Sequence, residues 1–323
     1  NIEQTVNGTA ANSGRVSVTV ARNGDLVGDM YIELESAIAA TKTVTAGDCN
    51  WVAERAVSSV ELSIGGQRID KQYQKWWRLY SELYLDESKK ATYGKMSSGV
   101  SGKTVYLPLY FFFNRNPGLY LPLIALQYHE VRLDFDLSAN FDEWLDTSTF
   151  KVWANYIYLD TEERRRFAQK GHEYLIEQVQ HTGTDTVDTG STKQVRLSYN
   201  HPVKELVWVF QSQADIDKND RFNFGTKGKG VEVLKDATLL LNGHERFSSR
   251  PASYFRLMQP YQHHTRVPAK PIYVYSFALR PEEHQPSGTC NFSRIDNASL
   301  KINTESAFSG NVLVYAVNDN GRR

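Results

Sequence analysis

The adjacent pair His263-His264 is the combination best suited by residue type to hold a metal, with His244 and His284 as more distant partners. Metal sites need three or four converging donors, most often spaced as His-x-His, His-Glu-x-x-His or Cys-x-x-Cys. None of those spacings occurs. Placed on a strand, the two neighbours point to opposite faces, so they are expected not to converge on one ion. Glu130, Asp134 and Asp136 are of the type that cleaves glycosides, a chemistry needing two carboxyl groups at a set separation that sequence alone does not give. No G-x-S-x-G elbow or phosphate loop accompanies them. The expectation is a protein without catalytic residues, cofactor or metal.

Other chemistry-bearing residues have plainer uses. Arg164-Arg165-Arg166 is a basic run that could meet nucleic acid, yet Glu162 and Glu163 precede it at spacings that allow ion pairs on a helix. Phe111-Phe112-Phe113 and Trp76-Trp77 could stack on bases or sugars, but large rings ordinarily serve cores and subunit contacts. Asn7, Asn291 and Asn297 each open an Asn-x-Ser/Thr acceptor triplet for glycosylation.

Composition narrows the class. The 323 residues suit about two domains, and 41% hydrophobic content can supply two cores. Lys plus Arg and Asp plus Glu stand at 37 each, so no overall field attracts nucleic acid or anionic membrane. Two cysteines far apart, Cys49 and Cys290, do not make a disulfide framework and fit folding in a reducing cytosol. No run approaches the roughly 20 apolar residues of a membrane span, so insertion is not expected. The chain opens at Asn1 without methionine or a signal-like segment, which reads as a trimmed piece.

The elements that must position these residues read mainly as strands. Val131, Leu133, Phe135 and Leu137 alternate with Arg132, Asp134 and Asp136, putting one side toward a core and the other toward water. Similar runs are Arg15–Ala21, Tyr31–Glu35, Ser59–Ile64, Phe150–Leu159, Leu206–Phe210, Thr238–Leu241, Ile272–Leu279 and Asn311–Val317. Gly65-Gly66, Asn242-Gly243 and Asn23-Gly24-Asp25 supply turns, and Asn116-Pro117-Gly118 predicts a type II turn with Gly118 at positive φ. Ile69, Tyr73, Trp76, Tyr80 and Leu83 are spaced for one face of a short helix. Asp160 and Glu163 form a capping box before a second one.

An internal repeat organises the chain. A strand, a glycine turn and the motif Trp76-Trp77-Arg78-Leu79 recur as a strand, Asn242-Gly243 and Tyr254-Phe255-Arg256-Leu257. Each half closes on an aromatic strand, KVWANYIYLD and then NVLVYAVND. Two diverged copies of one sandwich follow, with a boundary near residues 160 to 172.

The run YFFFNRNPGLYLPLIALQYHEVRLDFDL at 110–137 resembles the major capsid protein of nucleocytoplasmic large DNA viruses, a family that includes phycodnaviruses and iridoviruses. YLDTEERRRFAQ with HEYLIEQVQ, HPVKELVWV and NFSRIDNASL carry the same resemblance, which spans nearly the whole chain. It implies an all-β protein of two tandem jelly-roll sandwiches joined by a short helix: residues 1–160, a linking helix at 161–172, and residues 173–323. It implies a homotrimeric, pseudo-hexagonal capsomer tiling an icosahedral capsid, assembled in the host cytoplasm with neighbouring capsomers and minor capsid proteins, and binding no specific nucleic acid. Polar loops such as 86–103 and 211–230 are expected at capsomer tops or neighbour contacts. The readings from other classes are a carbohydrate-binding β-sandwich and a glycoside hydrolase.

Overall fold

A computed structural model describes residues 1–38, 50–190, 192–214, 222, 224–225, 232–305 and 308–322, so Cys49 and most of the loop 211–230 lie outside the described residues. Cys290 is a free, half-buried thiol. The chain divides into two compact units. The first comprises Asn1–Trp77, Ser88–Gln178 and Gly321–Arg323; the second comprises Arg78–Glu87 and Val179–Asn320.

Ten strands lead the chain: β1 (Ile2–Gln4), β2 (Val6–Asn7), β3 (Arg15–Thr19), β4 (Leu26–Glu35), β5 (Val57–Ile64), β6 (Gln67–Tyr73), β7 (Thr104–Pro108), β8 (Leu121–Pro122), β9 (Val131–Leu137) and β10 (Lys151–Ile157). They form one sheet in the order β1-β10-β4-β7, with β8 beside β4, and another in the order β2-β3-β9-β5-β6. Ten more follow: β11 (Tyr174–Val187), β12 (Thr192–Arg196), β13 (Pro202–Ser212), β14 (Leu234–Leu241), β15 (His244–Glu245), β16 (Arg250–Pro251), β17 (Tyr273–Ser276), β18 (Cys290–Asn291), β19 (Ala298–Thr304) and β20 (Gly310–Arg322). Their sheets run β11-β20-β13-β17 and β12-β19-β14-β15.

The two orders are one plan. Substituting β11, β20, β13 and β17 for β1, β10, β4 and β7 reproduces the first sheet, and β12, β19, β14 and β15 replace β3, β9, β5 and β6 in the second. Each unit is therefore an antiparallel two-sheet jelly roll, and the repeat read from short motifs is a repeat of whole topology.

Patterning explains which faces close on the cores. On β9, Val131, Leu133, Phe135 and Leu137 are buried as their alternation predicts. Asp134 departs from the prediction of a water-facing side chain: it is buried too, covered by ion pairs to Arg132 at 3.0 Å and Arg15 at 3.4 Å. Strand β13 differs from its counterpart β4. Leu206, Trp208 and Phe210 enter the second core, while Val207 and Val209 on the opposite side are also fully buried. β4 instead alternates, with Asp29 and Glu35 exposed.

Glycine turns set two hairpins. Gly65 and Gly66 have φ of 60° and 78°, and Asn242 and Gly243 have 51° and 80°, the left-handed pair that a type I′ turn requires. A Cβ at Gly243 would meet nothing within 4 Å. Gly243→Ala is therefore expected to cost only the backbone term, about 1 kcal/mol, read as a lowered thermal midpoint. A loss of several kcal/mol would contradict that geometry.

Three local expectations are corrected. Gly118 is not at positive φ; Pro117–Leu119 form a 3-10 turn closed by the Asn116 side chain, which accepts from the Gly118 N–H at 2.9 Å. Ile69 and Tyr73 belong to β6, and the helix begins only at Gln74, running to Leu83 with Trp76, Tyr80 and Leu83 buried. The loop expected at 86–103 contains a helix, Glu87–Ser97, anchored by buried Tyr93 and Ser97. At 160, by contrast, the capping box forms: Asp160 accepts from the Glu163 N–H at 2.8 Å and starts the helix Thr161–Gln169.

Candidate assembly surfaces

The histidine pair sits at the end of the helix Gln259–His263 rather than on a strand, and its members have separate roles. His263 bonds through Nδ1 to the carbonyl of Leu279 at 2.9 Å. His264 is enclosed, with Nε2 at 2.7 Å from Glu205 and Nδ1 at 2.8 Å from Glu282. Burial alone would push its pKa down, but the Glu205 charge and the hydrogen bonds to both carboxylates prevail and raise it to about 9. Glu282 shows the reverse balance: burial favours its neutral form, and bonds from His264 and Thr265 outweigh this and lower its pKa. The His264 imidazole thus lies between the carboxyl groups of Glu205 and Glu282.

This chain fastens a segment rather than exposing a reactive group. Both His264 and Glu205 have fully buried side chains, so no solute reaches them. Tyr84 donates to Glu205 and lies edge-on to His264, their ring centres 5.2 Å apart. Arg266 pairs with Glu87 at 3.1 Å and with Glu82 at 3.7 Å. Residues 78–87 are thereby bound into the second unit by charge-assisted bonds, buried at Glu205 and Glu82 and solvent-exposed at Glu87. Lys204, also buried, donates to the carbonyl of Glu283 at 3.0 Å. A Lys-Glu pair inside the apolar strand VKELVWVF was the sequence signal for this cluster, because buried charges demand partners.

The other sequence candidates are spent on structure. Glu130 accepts from Thr19 at 2.7 Å, and Asp136 accepts from Ser59 at 3.0 Å. Arg164 pairs with Asp25 at 3.1 Å, not within its own helix. Trp76, Trp77 and Phe111 to Phe113 are buried, so none forms an open stacking platform. Among the described residues, no group of three or more His, Cys, Asp or Glu side chains is placed to hold a metal. Asn7 and Asn297 are exposed; Asn291 is half-buried and accepts from the Ser293 N–H at 3.1 Å.

What the second unit does present is apolar surface. Leu257, Met258, Tyr261 and Leu279 are 50%, 47%, 78% and 71% exposed. The first three follow one another on a single helical stretch, and Leu279 adjoins it through the His263 bond. Grouped apolar exposure of this kind marks contact surface.

Among solved structures, the PBCV-1 VP54 crystal structure superposes with a TM-score of 0.86 at 37% identity, covering 99% of this chain and 92% of that one. Together with the repeated sheet order, this makes the protein a double jelly-roll capsid subunit. Residues 1–160 match the family model described as major capsid protein N-terminus, and residues 163–322 match that of the large eukaryotic DNA virus major capsid protein. The major capsid protein of Paramecium bursaria Chlorella virus 1 is 42% identical across 93% of this chain and 78% of its own length. That of Pyramimonas orientalis virus is 41% identical across 99% and 86%. The chain belongs to the family of major capsid proteins of large DNA viruses, and its work is structural: it forms the capsid of the virion.

Proposed function

We propose that three copies of this chain assemble into a homotrimeric capsomer of nearly hexagonal outline that tiles an icosahedral capsid. The observation carrying this is the order of four strands in each sheet that the two units share. Three chains with two equivalent jelly rolls each place six similar bodies around a threefold axis, and that outline packs in a flat sheet. A permanent trimer of this kind buries over about 2,000 Å² with an apolar centre, and the exposed apolar stretch at 257–261 supplies material for one.

In this reading the modules are residues 1–160 and 173–323, joined by 161–172. Neighbouring capsomers and minor capsid proteins are the further partners, and assembly takes place in the host cytoplasm. A net charge of zero fits a shell that makes no specific contact with nucleic acid. Asn7 and Asn297 are the better glycan acceptors, since both are exposed and Asn291 is half-buried. Light scattering on size-separated chain is the test. A mass near three times 36.8 kDa that holds on dilution is expected; a folded monomer overturns the trimer.

A further inference from the structure

We propose that the helical stretch Tyr254–His263 of one subunit is the plug that seats it on the N-terminal unit of the next copy of this chain. The inference rests on the homotrimer and assigns its contact surface.

The duplicated motif carries the argument. Aligned on their shared Arg-Leu, Trp76-Trp77-Arg78-Leu79 and Tyr254-Phe255-Arg256-Leu257 occupy the same place in the topology, the first after β6, which pairs β5, and the second after β15 and β16, which both pair β14. The second aromatic is fully buried in both, Trp77 and Phe255 alike. Beyond it the copies diverge. Leu79 is 0% exposed and its counterpart Leu257 is 50%; Tyr80 is 8% and Met258 is 47%; Leu83 is 0% and Tyr261 is 78%. The same element at the same position keeps its apolar side chains in both copies, yet only the first copy covers them.

The first copy's destination identifies the second's. Residues 78–87 are part of unit 2, where Tyr84 meets Glu205 on β13. In a ring of alternating first and second units, the element of a second unit faces the first unit of the following chain. The receiving strand there is β4, the topological counterpart of β13. β13 is buried on both sides, whereas on the outward side of β4 Asp29 and Glu35 are exposed and Tyr31 and Glu33 half-buried. Charge is compatible: from Arg246 to Arg280 the chain carries six Lys or Arg and no Asp or Glu, of which Arg256, Arg266 and Arg280 already pair with Glu232, with Glu82 and Glu87, and with Glu283, while Asp29, Glu33 and Glu35 make the outward side of β4 acidic.

The test is made on the full chain. Leu257→Asp with Tyr261→Glu is expected to raise the concentration at which trimer dissociates by about 100-fold or more, as central apolar anchors do, while leaving the melting of the diluted chain unchanged. Tyr128→Glu, at a side chain 90% exposed in the first unit, is the matched control and should leave the trimer intact. A photo-crosslinking side chain at Tyr261 gives a second readout that needs no disruption of the fold. Covalent dimers and trimers joined to peptides of residues 26–35 are expected. A double variant that still forms a stable trimer, or adducts joining Tyr261 only to residues 179–320, overturns the plug and leaves the trimer standing. A monomeric unmodified chain overturns the trimer itself, and the plug with it.

Discussion

Replacing His264 by leucine is expected to cost about 3–5 kcal/mol of folding stability, because it strands the fully buried Glu205 without its cationic partner. His264→Gln should cost less, since an amide still donates to one carboxylate. The same pair makes stability depend on pH in a fixed sense. The folded-state pKa of His264, about 9, lies above its ordinary 6.5, so the folded chain holds this proton more tightly than the unfolded one. The contribution is whole below pH 6.5, shrinks as pH rises, and is gone above about 9; its full size is about 3 kcal/mol. Glu282 acts oppositely: with its pKa lowered from 4.5, its contribution is present above that value and lost as pH falls. Urea titrations from pH 6 to 10 should therefore show declining stability in the parent chain and a nearly flat profile in His264→Leu. A parent profile as flat as the variant's would mean that the imidazole is not charged in the fold.

Much of this molecule is legible in sequence because its signals are local. The burial of Val131, Leu133, Phe135 and Leu137, the Asn242-Gly243 turn and the Asp160 capping box each depend on neighbours within a few residues, and each stands where expected. Local signals also mislead where two periods coincide. Ile69 and Tyr73, four residues apart, satisfy a helical face and equally the even spacing of a strand, and the antiparallel partner β5 decides for the strand. At Gly118 the side chain of Asn116 supplies a bond that removes the need for positive φ.

The surfaces that matter for assembly were readable only in part. The strand VKELVWVF announces buried charge, but its partners come from residues 84, 264 and 283, separations that no spacing rule reaches. The repeated Arg-Leu motif was visible, yet sequence assigns both copies the same apolar character. That one is covered and the other open is a property of the folded chain, and this difference carries the assignment of a contact surface.

Trp208→Ala is expected to destabilise the second unit by about 3–5 kcal/mol, in the range of the His264 variant but by another route. Trp208 is fully buried on β13 between Phe255, at 5.2 Å between ring centres, and Tyr273, at 6.0 Å. Those rings are fixed in turn by Phe247 and Phe210, so the wall around the lost indole cannot collapse to fill the space. The cavity term therefore adds to the lost transfer energy. Trp208→Phe should recover much of the loss, because among the described residues the indole N–H has no hydrogen-bond partner, so its removal leaves no acceptor there unpaired. Phe255 ties this core to the plug, being the residue before Arg256 and Leu257. Trp208→Ala is thus expected to weaken the trimer as well as the fold, and Trp208→Phe to restore both together. Denaturant titration and light scattering on the same three chains check this; a stability loss under 1 kcal/mol in Trp208→Ala would refute a rigid wall, and an unchanged trimer would separate the core from the contact it supports.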